Sequence, residues 1–320
     1  MKYDRVLVTG GCGFIGSNFI RFMLEKYTGI KITNLDNLSY AGRKENLRDI
    51  EKNRRYNFVK GDICSRRMLK KWVHKNDAVI NFAAESHVDR SIQDSSPFIH
   101  SNVLGVQRLL DECLRSGTEF IQISTDEVYG SIKSGSFKEG AKFNPSSPYS
   151  ASKAAAELLC NAYYVTHEMP ISITRSSNNF GPCQFPEKFI PVVILRALKS
   201  EKIPVYGTGK NMRDWLYVKD NCAGIDTVLG KGSRRCGVYN IGMGTEKRNI
   251  DLAKAILRIM GKPLTLIEFV KDRKGHDFRY SIDSTKLIKL GWKPGHSFDA
   301  ALRETVQWYL SNEWWWKDLV

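Results

Sequence analysis

The sequence predicts an α/β protein built on a doubly wound parallel sheet, with a smaller mixed α/β lobe assembled mainly from its second half. Three observations carry that reading. Short β-rich runs alternate with stretches long enough for a helix through the first half of the chain. A glycine-rich turn directly follows the first run. Beyond Arg175 the alternation loosens, and Pro182, Pro186, Pro191 and Pro204 break the chain.

In order, the β-rich runs are 5–9, 31–35, 56–60, 78–82, 120–124 and 171–174, and the stretches 15–26, 99–115 and 150–168 are of helix length. Strand, helix and parallel strand connect with a right-handed crossover, which puts helices on both faces of one sheet. Later, 215–218 and 238–241 read as strands again, and Gly207 with Gly209 as a turn. The expected division is 1–177, with a returning segment 213–246, for the sheet domain, and 178–212 with 247–320 for the smaller lobe. Trp314, Trp315 and Trp316 are expected to pack on the protein, because large aromatic surface is costly to leave in water.

Composition narrows the class. At 320 residues, with 42% hydrophobic and 26% charged residues, the chain has an ordinary globular balance and room for one large core or two modest ones. No apolar run approaches bilayer length; the best, 189–195, is short and contains Pro191. The first strand begins within a few residues of Met1, leaving no room for a signal peptide. Seven cysteines without a Cys-x-x-Cys pair point to reduced thiols, a cytoplasmic location and no metal site. The net charge of +15 is spread along the chain, with no zinc-finger, basic-zipper or RNA-recognition pattern. It reads first as a basic solvated surface and second as attraction for an anionic small substrate. Neither nucleic acid nor membrane is an expected partner.

Residues 9–16 read TGGCGFIG, with Gly10, Gly13 and Gly16 three apart. Glycine permits the tight turn and the close approach of backbone to a pyrophosphate at the following helix's N-terminus. Asp36 ends the second run, where a carboxylate can accept hydrogen bonds from an adenosine ribose diol and repel a 2′-phosphate. That context marks a Rossmann-type dinucleotide site and favours NAD over NADP. Asp62, ending the third run, reads either as an adenine contact or as a turn aspartate.

Pro148-Tyr149-Ser150-Ala151-Ser152-Lys153 places Tyr149 and Lys153 four apart at a helix start, hence on one face. An ammonium near a phenol favours the phenolate, as a base working near neutral pH requires. The strand preceding them ends in Ser124-Thr125, followed by the adjacent acids Asp126 and Glu127.

With the dinucleotide fingerprint, these features resemble the extended short-chain dehydrogenase/reductase superfamily. AAESHVDRSI (83–92), STDEVYG (124–130), PSSPYSASK (145–153), NNFGPCQFPEKFIP (178–191), RDWLYV (213–218), YNIG (239–242) and GHDFRYSID (275–283) resemble, more narrowly, the dTDP-glucose 4,6-dehydratases. The paired acids discriminate, since many relatives lack an acid at the position of Glu127.

The resemblance implies NAD as cofactor, dTDP-glucose as substrate and a 4-keto-6-deoxy sugar nucleotide as product. Tyr149 takes the C4 hydroxyl proton while NAD accepts hydride from C4; the C5 proton thereby becomes removable. Glu127 is then the base at C5, and protonated Asp126 the acid at the departing C6 hydroxyl, with Thr125 on the C4 oxygen. Neighbouring carboxyls are suited to opposed protonation states, because ionising one raises the pKa of the other. Cofactor contacts are implied for Phe14 and Ile15 among the glycines, for Asn37 and Ser39 after Asp36, and for Ile63 beside Asp62. Phe82, Ala83, Ala84, Ser101 and Asn179, with Tyr149 and Lys153, complete that set.

For the substrate, the resemblance implies Ser86, Thr125 and Asn178 near the sugar or its phosphate. Lys188, Phe189, Pro204, Tyr206, Arg213, Asn249, Arg273 and His276 are implied around the nucleoside diphosphate. Charge-assisted donors suit a diphosphate. Lys274 stands where the family commonly has proline, and Phe278 where it often has arginine. His87 reads as structural, and Tyr129 as packing or a secondary contact. The resemblance also implies a homodimer built on helices around 101–115 and after Tyr149. A UDP-glucose 4,6-dehydratase and a nucleotide-sugar 4-epimerase are the alternative enzymes. A non-catalytic NAD-binding regulator would lack the Tyr–Lys pair or the acids.

Overall fold

The structure, a computed structural model, describes residues 3–272 and 277–320. Among them a seven-stranded sheet forms from β1 (Arg5–Thr9), β2 (Lys31–Asp36), β3 (Tyr56–Lys60), β4 (Ala78–Asn81), β5 (Glu119–Thr125), β6 (Ile171–Ser176) and, later in the chain, Arg235–Ile241. Every neighbouring pair in it is parallel. Its central strands are apolar on both faces because helices cover both. Val6 and Val8 pack into the layer containing α1 (Phe14–Lys26), whereas Leu7 between them packs into the opposite layer. That second layer holds α2 (Arg66–Val73), α3 (Val106–Ser116) and α4 (Pro148–His167), through Leu69, Leu109 and Cys160 among others. This is a Rossmann-type α/β fold.

The remaining strands are β7 (Asn178–Phe180), β8 (Ile203–Tyr206), β9 (Met212–Tyr217), β10 (the Arg235–Ile241 strand), β11 (Glu246–Arg248) and β12 (Ile267–Val270). The large sheet runs β10-β6-β5-β4-β1-β2-β3, so the chain reverses its direction of growth between β1 and β4. A single residue, Ser177, separates β6 from β7. β9 pairs with β7 in parallel and with β11 antiparallel, and β8 pairs with β12. Around these lie α5 (Phe189–Leu198), α6 (Val218–Lys231), α7 (Asn249–Ile259) and α8 (Phe298–Ser311). Pro191 sits in the first turn of α5, where its missing N–H leaves no helical bond unmade.

Two elements depart from the sequence reading. The stretch expected as one helix over 99–115 begins as a π-helical segment, Ile99–Gly105, before α3. Within it Asn102 is buried and bonds the Glu85 backbone on both sides, Nδ2 donating to O at 3.0 Å and Oδ1 accepting from N at 2.9 Å. The wider turn accompanies that inward-facing side chain. Val218, expected to end a strand, instead opens α6, with Asp220 in the first turn favouring a helix start.

Trp315 and Trp316 are buried as expected, while Trp314 is partly exposed beneath Arg48. Trp315 Nε1 donates to Asn46 Oδ1 at 2.7 Å, and Asn46 Nδ2 donates to the Cys12 carbonyl at 2.7 Å. The C-terminal aromatic thus braces the glycine loop through one asparagine. Trp315→Ala is therefore expected to destabilise the fold by about 3–5 kcal/mol in denaturant unfolding. A loss near zero would show that the tail does not brace the domain.

Candidate active site

At the reversal point between β1 and β4, where open α/β sheets bind ligands, the carboxyl ends of the strands border a cavity of about 400 Å³. Gly10 adopts φ +68°, and a Cβ there would lie 2.5 Å from the Ala83 backbone nitrogen. A Cβ on Gly16 would lie 2.5 Å from the Gly10 carbonyl. Both positions therefore require glycine, one for conformation and both for space. Gly13 caps α1, so the unpaired N–H groups of its first turn belong to the cavity-lining Phe14, Ile15 and Gly16. Asp36 closes the loop from β2: its Oδ2 accepts from Cys12 N and its Oδ1 from Leu38 N, each at 2.8 Å. Burial pushes its carboxyl up, and those two backbone donors oppose the shift.

The cavity collects all the residues implied for the cofactor. Gly10, Gly13, Phe14, Ile15, Gly16, Asp36, Asn37 and Ser39 come from the first two strand–helix turns. Asp62 and Ile63 follow β3, and Phe82, Ala83 and Ala84 follow β4; Ser101, Tyr149, Lys153 and Asn179 complete the wall. Asp62 is a turn aspartate, accepting from Cys64 N at 2.7 Å, and it also lines the cavity.

The catalytic candidates share one corner of this cavity. β5 ends at Thr125, and Asp126–Tyr129 form a single 3₁₀ turn. Thr125 Oγ1 caps that turn by accepting from Glu127 N at 3.2 Å, and it donates to Asp126 Oδ1 at 3.3 Å. Asp126 is buried, and its Oδ2 has no hydrogen-bond partner among the described residues. Burial first, then the charges of Glu127 and Asp214, push its carboxyl well above the usual range, with Arg213 opposing. Each of these causes but Arg213 shifts the balance toward the neutral acid.

Tyr149 lies in the first turn of α4, started by a Ser147–Ser150 capping box with Pro148 at the first position. Lys153 stands one turn later, and its Nζ donates to the Ile123 carbonyl at 2.6 Å. Burial draws the Lys153 ammonium down to about 8, opposed by Glu157 and Cys160. The expected lowering of the Tyr149 phenol is not met by the protein's own charges. Burial and then Glu127 push it up, opposed by a hydrogen bond with Thr125, while the Lys153 ammonium is directed at a backbone carbonyl.

Ser86, Asn178 and Lys188 also line the cavity, and Lys188 Nζ donates to the Ser86 carbonyl at 3.2 Å. His87 caps the short helix Val88–Gln93, its Nδ1 accepting from Arg90 N at 3.2 Å. Phe189, Pro204, Tyr206, Arg213 and Asn249 do not line this cavity. Phe189 opens α5 and stacks on Trp215; Pro204 and Tyr206 lie on β8, and Asn249 opens α7. Arg213, on β9, lies over the Tyr280 ring at 4.4 Å and donates to the Asp277 carbonyl at 2.9 Å. Phe278 is exposed. Arg273, Lys274 and His276 lie outside the described residues.

Sequence reasoning missed Tyr40, Gln184 and Phe185, which line the same cavity from irregular loops carrying no periodic signal. Tyr40 has φ +34°, sits under the Arg90 guanidinium at 3.9 Å and packs on Phe185 at 5.3 Å. Tyr40 Oη, Asp126 Oδ2, Asn178 Oδ1, Asn179 Oδ1 and Gln184 Oε1 are all buried without a hydrogen-bond partner among the described residues. Buried polar atoms are rarely left so, and a set of them on residues lining one cavity fits a polar ligand. With the glycine cradle and Asp36, they fit a dinucleotide.

Because the Asp126 carboxyl is raised in the folded protein, its contribution to stability is complete below the ordinary carboxylate range and is lost as pH rises through the raised value. Asp126→Asn is accordingly expected to stabilise the fold at pH 7–8 by about 0.5–2 kcal/mol, with the gain vanishing toward pH 4. Melting curves across that range check it; a pH-independent effect would contradict the burial argument.

A profile of the family described as GDP-mannose 4,6 dehydratase matches residues 7–305. The chain is 50% identical over 309 residues to the low-salt glycan biosynthesis protein Agl12 of Haloferax volcanii, covering 96% of this chain and 99% of that protein. It is 46% identical over 319 residues to a dTDP-glucose 4,6-dehydratase of Actinoplanes sp., covering 98% and 99% respectively. Among solved structures, DesIV, the dTDP-glucose 4,6-dehydratase of Streptomyces venezuelae with NAD and TYD bound, superposes with a TM-score of 0.96. It is 43% identical, and the match covers 99% of this chain and 100% of that one.

Proposed function

The chain belongs to the GDP-mannose 4,6-dehydratase family, and on that premise we propose that it is a dTDP-glucose 4,6-dehydratase, an NAD-dependent hydro-lyase of deoxysugar biosynthesis. The observation that carries the reading is the buried Asp126 beside Glu127 in the same cavity as Tyr149 and Lys153. A dehydrogenase or an epimerase has use for the second pair and none for the first.

The glycine loop would hold the cofactor, with Asp36 toward the adenosine ribose and Lys153 and Asn179 toward the nicotinamide end. When bound, oxidised NAD supplies a reversible two-electron acceptor and a positive charge that favours the Tyr149 phenolate. Tyr149 accepts the proton of the C4 hydroxyl, and Thr125 donates a hydrogen bond to the C4 oxygen. A C4 ketone stabilises the carbanion left when Glu127 removes the C5 proton. Asp126, kept neutral by burial and by Glu127, gives its proton to the C6 hydroxyl, which leaves as water. Glu127 would then return a proton to C5 as the hydride taken from C4 is given back to C6, which would leave the cofactor oxidised and the sugar as the 4-keto-6-deoxy product. Ser86, Asn178 and Lys188 hold the sugar and the adjoining phosphate. The family resemblance assigns the remainder of the nucleotide to Phe189, Pro204, Tyr206, Arg213 and Asn249, which do not line the cavity, and to Arg273 and His276, outside the described residues. The division into a cofactor domain (1–177 with 213–246) and a nucleotide-sugar lobe (178–212 with 247–320) goes with this reading.

The protein is read as a cytoplasmic homodimer. Its seven cysteines are free, in keeping with a reducing compartment, and no described helix is long and apolar enough to cross a membrane. Leu158 and Val165, seven residues apart on α4, are 57% and 67% exposed, and Ile99 is 52% exposed at the start of the neighbouring helical segment. A second copy covering these helices would bury that apolar surface. Sedimentation is expected to give twice the 36.5 kDa chain mass; a monomeric mass would refute the dimer.

Incubation with dTDP-glucose is expected to yield a product with the alkali-induced absorbance of a 4-keto-6-deoxy sugar, more slowly with UDP-glucose. Formation of a C4 epimer in its place would overturn the assignment. Glu127→Gln and Asp126→Asn are each expected to slow water loss by roughly a hundredfold or more, with NAD affinity nearly unchanged. Wild-type dehydration by either variant would remove its assigned role.

A further inference from the structure

Beneath the 124–129 turn lies a buried ion pair that the reaction above does not use. Arg175, on β6, binds Glu157, on α4, through its fork: NH2 lies 2.7 Å from Oε2, and Nε lies 3.0 and 3.1 Å from the two carboxylate oxygens. Glu157 Oε1 also accepts from Ser124 Oγ at 2.5 Å, at the residue before Thr125. Arg175 NH1 donates to Tyr129 Oη at 2.6 Å, at the last residue of the 3₁₀ turn. Tyr129 Oη donates onward to Asn240 Oδ1 on β10 at 2.8 Å, and its ring stacks on Phe137 at 5.0 Å. The same ion pair therefore grips both ends of the segment that carries Asp126 and Glu127.

Stability alone does not account for this arrangement. A buried ion pair is often no more stabilising than apolar residues of the same volume. What apolar residues cannot do is fix two hydroxyls at set positions in two directions. Glu157 also lies four residues after Lys153, on the same helix face, and its charge favours the Lys153 ammonium.

We propose that Glu157, Arg175 and Tyr129 are positioning residues, whose shared network sets where Asp126 and Glu127 stand relative to C6 and C5 of the sugar. The proposal rests on the dehydratase reading. Its effect falls chiefly on the elimination step, because the network holds the turn bearing that step's acid and base, and its one link to the cofactor set is the Glu157 charge near Lys153.

The test uses Tyr129→Phe, which keeps the ring and its stacking and removes only the bridging hydroxyl, alongside Arg175→Lys, which keeps the charge and loses the fork. Each is assayed with dTDP-glucose and with the substrate deuterated at C5, and melted in parallel. Tyr129→Phe is expected to lower kcat by roughly tenfold to a hundredfold. KM should stay close to wild type, and the C5 deuterium isotope effect on kcat should rise as proton removal becomes limiting. Arg175→Lys should move both quantities the same way. An unchanged kcat, or a lower kcat with an unchanged isotope effect, overturns the proposal whatever happens to the melting temperature. If the wild-type chain yields no 4-keto-6-deoxy product in the same assay, the dehydratase reading itself fails, and this inference with it.

Discussion

Asp126 sits almost out of water with Glu127 next to it in the chain, and two carboxyls so placed cannot both ionise without a large electrostatic cost. Much of the surrounding architecture holds them there. β5 is central in the sheet, bonded to β4 on one side and β6 on the other, so the strand end that delivers Thr125 is anchored on both edges. Thr125 then caps the turn, and the Glu157–Arg175 pair ties down its two ends. The energy of folding, supplied by two apolar layers, keeps a buried carboxyl of raised pKa beside a second carboxyl in a fixed arrangement.

The cofactor half of the cavity follows different physics. There the requirement is close approach, which Gly10 and Gly16 meet by having no Cβ. Asp36 draws the loop toward β2 through Cys12 N, and Asn46 and Trp315 brace it from the far side. Lys153 links the halves: it projects from the tyrosine helix and donates to β5 two residues before Thr125. Its lowered pKa and the raised acid of Asp126 have the same leading cause, burial along one cavity.

How much of this was legible depended on range along the chain. The parallel strands announce themselves as short apolar runs, and the glycine loop, Asp36 and the Tyr149–Lys153 pair are local spacings readable where they stand. Family resemblance added the roles of Asp126 and Glu127, whose adjacency alone marks them as unusual. Contacts between distant segments were not legible. Nothing in STDEVYG shows that Arg213 and Asp214, from β9, set the field around Asp126. Nor does it show that Tyr129 is an anchor bonded to Arg175 and Asn240. Tyr40 and Gln184 were missed because irregular loops carry no period. The π-helical entry to α3 was missed because Asn102 turns inward to bond a loop that the sequence does not place beside it.

In the proposed reaction Glu127 and Asp126 act as base and acid on one sugar. Reaction of dTDP-glucose with the purified chain in deuterium oxide, followed by NMR of the product, tests it most directly. The expected product is a 4-keto-6-deoxy sugar nucleotide carrying solvent deuterium at C5, where Glu127 returns an exchanged proton. A product that keeps its C6 hydroxyl and its original C5 hydrogen would contradict it.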